Sequence, residues 1–387
     1  MIFHFEITKF KKVVVLAFCL SEVLFCCNKN ASSDLIKFDV NGNFPVKTLD
    51  IQDIADIEYL KLEINDDYLF SDFVLLTDSF VICRGKRTFI FFNRTTGKPV
   101  SKLNRYGNGP EEYNLAVVYV YSEIKDEFFI LDYPTGIKVY GKDGTFKRKI
   151  PCKEDFHPSG INSLYDYDED HLLLNGYSFK GGMKDTSFIL ISKQDGFIEG
   201  IHIPYEKKVN LIFIKDGGGT VAKTYFAVRN CKDYLLTDYS SDTVYLFTPE
   251  RKLTPVLVRT PSIQKMDSKI LLHSWLETDK FLFFSIEKLE FDWNSQTGFP
   301  TKGYLMEKCS GKFFQTGIRM RDYEGKELII DPSVIDRIPN RQTGIIALSA
   351  LELRTANKEN KLSGELKEAT DRLTEDDEYI FMILKFK

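Results

Sequence analysis

A short pattern recurs along the chain at a spacing that few folds share. In each copy, a charged turn residue, acidic in all but the last copy, is followed two and three positions later by large apolar residues. Five copies begin at Asp78, Asp126, Asp170, Asp233 and Asp279, and a sixth begins at Lys326. Successive copies lie 48, 44, 63, 46 and 47 residues apart. This period is typical of a four-stranded β-propeller blade with its loops.

The residues inside each copy favour strands over helices. The acidic turn leads into a short apolar segment, a polar turn and a second apolar segment. The second strands are predicted to end at Phe92, Tyr140, Ile191, Phe247 and Met306. Val, Ile, Thr, Tyr and Phe fill the segments, while Gly, Asp, Asn and Pro fill the gaps. The sequence therefore predicts an all-β fold, a six-bladed β-propeller of four-stranded antiparallel blades over residues 51–387.

The two ends of this region predict how the ring closes. Residues 54–64 alternate between apolar and polar side chains, and residues 379–386 form a predicted closing strand. Strands from both ends in one blade would leave no free sheet edge there. Between them, residues 332–373 include helix formers with apolar spacings of three and four. We expect a helical insertion in the last blade, including residues 344–373.

The first 26 residues have the layout of a signal peptide. A basic segment with Lys9, Lys11 and Lys12 precedes an apolar run from Val13 to Leu20. The run is well under the roughly 20 residues that cross a bilayer, which favours a cleaved leader over a permanent anchor. The stretch Leu24-Phe25-Cys26-Cys27 resembles a bacterial lipobox. If Cys27 is the acceptor, Cys26 stands just before the cleavage site; if Cys26 is the acceptor, the bulkier Phe25 stands there. A small side chain is preferred at that position, which favours Cys27.

The lipobox resemblance implies that Cys27 carries the lipid, with palmitate among its acyl chains. Several acyl chains hold a protein at a bilayer almost permanently. Residues 27–50 are then expected to be a lipid tether and linker, and the location is the cell envelope, at the outer membrane. Asn28, Lys29 and Asn30 stand where acidic residues favour surface export in similar lipoproteins, so the periplasmic face is favoured. Cleavage that releases a soluble secreted product is the alternative.

Charge and cysteine usage argue against two classes of site. The formal net charge is −4, so no basic excess is present to bind a nucleic acid. The four cysteines after Cys27 are far apart, without a Cys-x-x-Cys motif or a Cys/His cluster, and no metal site is predicted. Their disulfide status is left open for Cys83, Cys152, Cys231 and Cys309.

One loop offers candidate ligand residues beside a tight Gly-Pro turn. Its polar side chains are Arg105, Asn108, Glu111 and Glu112. These side chains could face a ligand. The Gly and Pro residues of the loop also suit a crossover between blades one and two whose backbone conformation is demanding. The acidic stretch 166–170 could bind calcium, although it coincides with a repeat turn and is favoured as a hairpin tip. No other cofactor is predicted.

Several segments together resemble the six-bladed β-propeller lipoproteins of Bacteroidales-type gut anaerobes. The matching segments are residues 57–63, 105–113, 241–246 with 253–255, and 378–386. The resemblance implies a propeller on a lipid anchor and no shared catalytic set. We therefore expect a membrane-tethered module that binds a glycan, peptide or protein. The alternative is an envelope hydrolase or lyase, lactonase-like or glycan-acting, with channel-facing carboxylates.

Overall fold

The computed structural model describes ten stretches of the chain, and residues 37–387 fall in one compact unit. The stretches are 35–132, 135–151, 161–176, 186–214, 218–223, 226–230, 233–291, 293, 298–328 and 343–387. Cys26 and Cys27, with the predicted leader, lie outside them, as do Cys152 and Cys231. Cys83 and Cys309 are free thiols. No helix in these stretches is long and apolar enough to span a membrane.

Three short elements precede the first blade. They are β1 (Ile36–Asp39), β2 (Val46–Asp50) and the single-turn helix α1 (Ile51–Ile54), and β3 (Ala55–Leu60) follows directly. The described part of the expected linker 27–50 is therefore not a free tether, because it contributes two strands. Their partners lie far along the chain.

Blades one to three are four-stranded sheets whose strands follow one another in sequence. Blade one contains β4 (Asp72–Leu76), β5 (Phe80–Arg84), β6 (Phe89–Asn93) and β7 (Pro99–Leu103). Blade two contains β8 (Ala116–Ser122), β9 (Glu127–Asp132), β10 (Gly136–Tyr140) and β11 (Phe146–Ile150). Blade three contains β12 (Ile161–Asp166), β13 (His171–Gly176), β14 (Phe188–Ser192) and β15 (Ile198–Ile201). A hairpin of β16 (Ile212–Ile214) and β17 (Thr220–Ala222) then precedes blade four.

Blades four and five each gain a fifth strand from the N-terminal segment. Blade four contains β18 (Phe226–Asn230), β19 (Asp233–Thr237), β20 (Thr243–Phe247) and β21 (Leu253–Thr260), with β1 beside β21. Blade five contains β22 (Ile270–Glu277), β23 (Phe281–Lys288), β24 (Thr301–Glu307) and β25 (Phe313–Arg319). There, β2 pairs in parallel with β25. Phe38 of β1 is fully buried against Phe284, Tyr304 and Phe313.

The sixth sheet closes the ring as the sequence predicts. It contains β26 (Thr343–Ser349), β27 (Tyr379–Phe386) and β3, so strands from both ends of the propeller meet there. Between β26 and β27 lie α2 (Ala350–Lys358) and α3 (Gly364–Asp371). Leu353 and Leu366 of these helices are buried in one core with Ile54 and Met382. The six-bladed propeller fold is therefore confirmed.

Two details of the sixth blade differ from the sequence analysis. Residues 344–349 form a strand rather than a helix, because this segment pairs along its whole length with β27. Apolar residues in a fully buried strand also produce spacings of three and four, so the pattern was ambiguous. The sixth repeat copy is wrong as well. Leu328 N–H donates to the carbonyl of Ile318 (2.8 Å), so residues 326–328 join the end of blade five.

Glycine turns bring neighbouring blades together. Gly97 and Gly196 lie in the turn between the third and fourth strands of blades one and three, with φ of +71° and +70°. A Cβ at Gly97 would overlap the carbonyl oxygen of Lys61, and a Cβ at Gly196 would overlap that of Pro151. Both carbonyls follow the outermost strand of the preceding blade. Glycine is thus required by the backbone conformation and by the close approach of the next blade.

Candidate ligand site at one end of the ring

The antiparallel blades place particular strand ends together. In each blade the first strand begins, the second ends and the third begins at the same end of the ring, which we call the upper end. The turns between first and second strands lie at the opposite, lower end. The first strands of neighbouring blades contact one another, as β8 contacts β12 and β18 contacts β22. The first strands are therefore innermost.

The loop that the sequence analysis selected lies at the upper end, between blades one and two. Arg105 donates from Nε to the carbonyl of Gly144 (2.7 Å), and the Glu112 carboxylate accepts from the Gly109 N–H (2.9 Å). Asn108 accepts from the side-chain amide of Asn114 (2.8 Å). Glu111 is exposed. Three of the four selected side chains thus make hydrogen bonds that shape the crossover itself.

A buried ion pair anchors this crossover. Asp132, at the end of β9, lies 3.0 Å from the Lys138 ammonium, and both side chains are nearly inaccessible. Asp132 also accepts from the backbone N–H groups of Asn114 and Leu115, at 2.9 Å each, and from the Thr135 hydroxyl (2.7 Å). Burial opposes the charge of Asp132, but these donors together hold its pKa below the ordinary value.

A second buried carboxylate at the upper end has fewer donors. Asp238 follows β19 and accepts from the Ser187 hydroxyl at the start of blade three's third strand. Its other oxygen accepts from the Ser240 N–H (2.7 Å). Burial raises the pKa of Asp238, and these hydrogen bonds only partly oppose the shift. This carboxyl therefore holds a proton more readily than an ordinary aspartate does.

A third carboxylate lies in blade five. Glu287, near the end of β23, pairs with the ammonium of Lys223 (2.7 Å), which follows the β16–β17 hairpin. The Thr301 hydroxyl at the start of β24 donates to Glu287 (3.3 Å). Burial raises the pKa of Glu287, while Lys223 and Thr301 oppose the shift. The pair joins the hairpin to the upper end of blade five.

His273 lies between these two carboxylate sites. It is on the innermost strand β22, and its ring centroid is 6.0 Å from that of Tyr239, the neighbour of Asp238. Burial and the nearby Lys223 ammonium lower the pKa of His273 to about 3, so the imidazole is neutral at physiological pH. On the adjacent strand, Ser285 accepts from Trp275 Nε1 (3.0 Å). The upper end of blades three to five therefore contains a group of neighbouring polar side chains, all buried except the partly exposed Lys223, which we call the polar cluster: Ser187, Lys223, Asp238, Ser240, His273, Ser285 and Glu287.

Other carboxylates lie at the ends of the innermost strands. The described innermost strands carry Asp72, Asp166 and Glu277 at their first or last residues. In the stretch considered for calcium, Asp166 pairs with buried Lys193 (2.5 Å) and Asp168 contacts His171 Nδ1 (2.9 Å). This stretch forms the turn between β12 and β13 at the lower end. Within the stretches that the structure describes, no three acidic, His or Cys side chains are grouped to hold a metal ion.

Comparison with known families identifies the relatives of this fold. A family model described as a domain of unknown function, DUF4934, matches residues 35–385. The chain belongs to the DUF4934 family. Among curated proteins, none matches this sequence.

Two solved structures resemble this DUF4934 propeller. One is a candidate exported protein from Bacteroides fragilis NCTC 9343, with a TM-score of 0.60 and 14% identity, over 92% of this chain and 100% of that one. The other is a DUF4221 family member from Bacteroides vulgatus ATCC 8482, with a TM-score of 0.51 and 10% identity, over 87% and 99% of the two chains. At these identities the likeness concerns the fold.

The polar cluster of this DUF4934 chain was missed in the sequence analysis. A signal for it was present, because the second strand of successive blades carries a polar residue at its last or next-to-last position or directly after it. These residues are Arg84, Asp132, Asn175, Asp238 and Glu287. The pattern is periodic, but the partners Ser187, Lys223 and His273 come from other strands or blades. Only the closed ring brings them together.

Proposed function

We propose that this chain is an envelope lipoprotein whose propeller binds a ligand at the upper end of blades three to five. The observation that carries this proposal is the polar cluster, because buried polar side chains concentrate where the ring's connecting segments meet. Binding sites usually combine an apolar surround with a few such placed polar groups. The ligand is a glycan, a peptide or a protein.

The proposed location combines two sources of support. The Bacteroides fragilis neighbour is named as a candidate exported protein, which supports export of this chain. The leader that ends at Cys26 and Cys27 supports attachment to a membrane through acyl chains on Cys27. We place the anchor in the outer membrane and the propeller on its periplasmic face.

A photo-cross-linking experiment tests where the ligand binds. Ile214 on the upper hairpin and Ile124 in a lower turn of blade two are 74% and 72% exposed. Each is replaced in turn by p-benzoylphenylalanine in the full chain, which is then irradiated in cells. Adducts at position 214 that are absent at position 124 are expected. Adducts only at position 124, or none at position 214, would contradict ligand binding at the upper end.

The second candidate function is an envelope hydrolase or lyase. The raised pKa values of Asp238 and Glu287 favour it, because carboxyl groups that hold a proton more readily than usual can act as general acids. Wild type, Asp238→Asn and Glu287→Gln are compared for hydrolysis of γ- and δ-lactones and nitrophenyl glycosides, with thermal unfolding as the folding control. Turnover that either folded variant loses supports this candidate, and no turnover by wild type counts against it.

A further inference from the structure

A chain of aromatic rings lies at the upper end beside the polar cluster. Phe213 of β16 packs edge-to-face on Phe299, with centroids 5.4 Å apart. Phe299 packs on Phe291 (5.3 Å), and Phe291 packs on Trp293 (4.6 Å). All four side chains are partly accessible. We call these four residues the aromatic shelf.

The aromatic shelf adjoins an ion pair whose two opposite charges cancel. The Lys223 ammonium lies 5.1 Å from the centre of the Phe299 ring and 2.7 Å from the Glu287 carboxylate. Lys223 retains 24% side-chain exposure, whereas Glu287 retains 6%. The ammonium has three donors, and the carboxylate has several acceptor positions. Together they can donate to and accept from hydroxyl groups without requiring a charged ligand.

These features limit the chemistry of the ligand. Partly accessible aromatic rings favour a partner with an apolar face, because the ring face carries partial negative charge and attracts C–H groups. A paired ammonium and carboxylate favour a neutral ligand over an acidic or basic one, since either charge would compete with the existing pair. A sugar ring has an apolar C–H face and a rim of neutral hydroxyl groups. It matches both halves of the site.

We propose that the aromatic shelf and the Lys223–Glu287 pair form a binding site for neutral saccharides. Successive sugar rings stack on Trp293 and Phe299, and hydroxyl groups of the ring at Phe299 hydrogen-bond with Lys223 and Glu287. This inference rests on the proposed binding function and specifies its ligand. It places the sugar at blade five, beside the β16–β17 hairpin.

Calorimetric titration of the full chain in detergent tests this inference. The probes are cellohexaose, mannohexaose, maltohexaose and, as a charged comparison, hexagalacturonate. We expect at least one neutral hexasaccharide to bind, with at least tenfold weaker binding by Trp293→Ala and by Phe299→Ala. Hexagalacturonate should bind more weakly than the neutral sugars. Tryptophan emission should shift on binding, because Trp293 is accessible and the other tryptophan, Trp275, is buried.

A matched control separates the site from general surface effects. Phe197 is 56% exposed in a turn of blade three, outside the aromatic shelf, and Phe197→Ala should bind like wild type. Unfolding temperatures establish that each variant folds, and Trp293→Ala provides the test if Phe299→Ala does not fold. Absence of binding by all three neutral sugars, or wild-type affinity in folded Trp293→Ala, would overturn the saccharide inference. Cross-linked ligand at position 214 in that case would leave the broader binding function standing.

Discussion

Two buried aspartates at the upper end show how the number of donors sets the charge of a residue. Asp132 has an ammonium 3.0 Å away together with hydroxyl and backbone donors, and its pKa lies below the ordinary value. Asp238 accepts from the Ser187 hydroxyl and from the hydroxyl and backbone N–H of Ser240, and burial still raises its pKa. Burial opposes ionisation in both, and the donors outweigh it only at Asp132. The charge of Asp132 is therefore favoured by its donors, whereas Asp238 holds a proton more readily than an ordinary aspartate.

Removal of Lys138 should be costly because it leaves a buried charge without its partner. Breaking one side of a buried ion pair typically costs about 3–5 kcal/mol, so we expect Lys138→Met to lower the free energy of unfolding by an amount in that range. The control is Lys142→Met, which breaks an exposed pair with Asp126 and should cost less than about 1 kcal/mol. Chemical denaturation measures both. Equal losses would contradict the anchoring role of Asp132 and Lys138.

His273 should make stability depend on pH between 7 and 5. Below about pH 6.5 the unfolded chain protonates this imidazole, whereas the folded chain does so only near its pKa of about 3. Protons therefore favour the unfolded state, and stability falls as the pH falls. The expected loss from this group is about 2 kcal/mol between pH 7 and pH 5. The non-titrating variant His273→Gln should lack that part of the loss. An unchanged pH dependence in the variant would show that His273 is not the source.

At the scale of elements, the turns between the third and fourth strands of blades one and three contact the blade that precedes each of them. In blade one the Glu63 N–H donates to the Gly97 carbonyl (2.8 Å), and the Lys61 carbonyl oxygen occupies the place that a Cβ on Gly97 would need. Blade three repeats the close approach at Gly196. In blade five Gly311 has a similar φ of +65°, but nothing lies within 4 Å of its missing Cβ. Gly311 therefore has the left-handed backbone conformation alone, whereas Gly97 and Gly196 combine that conformation with close contact to the preceding blade.

The two kinds of glycine should respond differently to alanine. Gly311→Ala should cost roughly 1–2 kcal/mol, the penalty of a left-handed conformation with a Cβ. Gly97→Ala incurs the same penalty and must also displace the Lys61 carbonyl, so its loss of stability should be clearly larger. Thermal and chemical unfolding of the two variants provide the comparison. Equal losses would mean that the contact between blades one and six contributes little.

At the scale of the whole molecule, the N-terminal segment connects three blades. β1 extends blade four, β2 extends blade five and β3 forms the outer strand of blade six. Phe38 of β1 also packs against Phe284 and Phe313 in the core of blade five. The segment thus covers the outer edges of β21 and β25, which would otherwise offer unpaired backbone groups. The ring is closed by pairing and reinforced by this strap.

Deletion of residues 28–50, which leaves β3 in place, should expose those two edges and the pocket of Phe38. We expect a lower unfolding temperature and concentration-dependent association, since unpaired edges bind other strands. Differential scanning calorimetry and sedimentation velocity measure these effects. An unchanged unfolding temperature would show that the strap adds nothing to the stability of the propeller.

Local patterns predicted most of the blades because strand alternation and turn residues act within a few residues. Each of the first five repeat copies begins at the second strand of a blade, so the second strand of a copy is the third strand of its blade. The predicted ends of these strands all fall within one residue of the observed ends: Phe92, Tyr140, Ile191, Phe247 and Met306. β1 and β2 were missed because their partners lie more than 200 residues away. The same reason applies to the site. Lys223 and Glu287, or Asp238 and Ser187, are distant in sequence, and only ring closure determines that they meet.

The proposal that Cys27 carries the lipid anchor is tested most directly by metabolic labelling. Cells that produce wild type or Cys27→Ala are grown with an alkyne-bearing fatty acid, and their membranes are then fractionated. We expect label and membrane association in wild type, and loss of both in Cys27→Ala. Label that persists in the variant would place the lipid on another residue. Absence of label in wild type would contradict a lipid-anchored propeller.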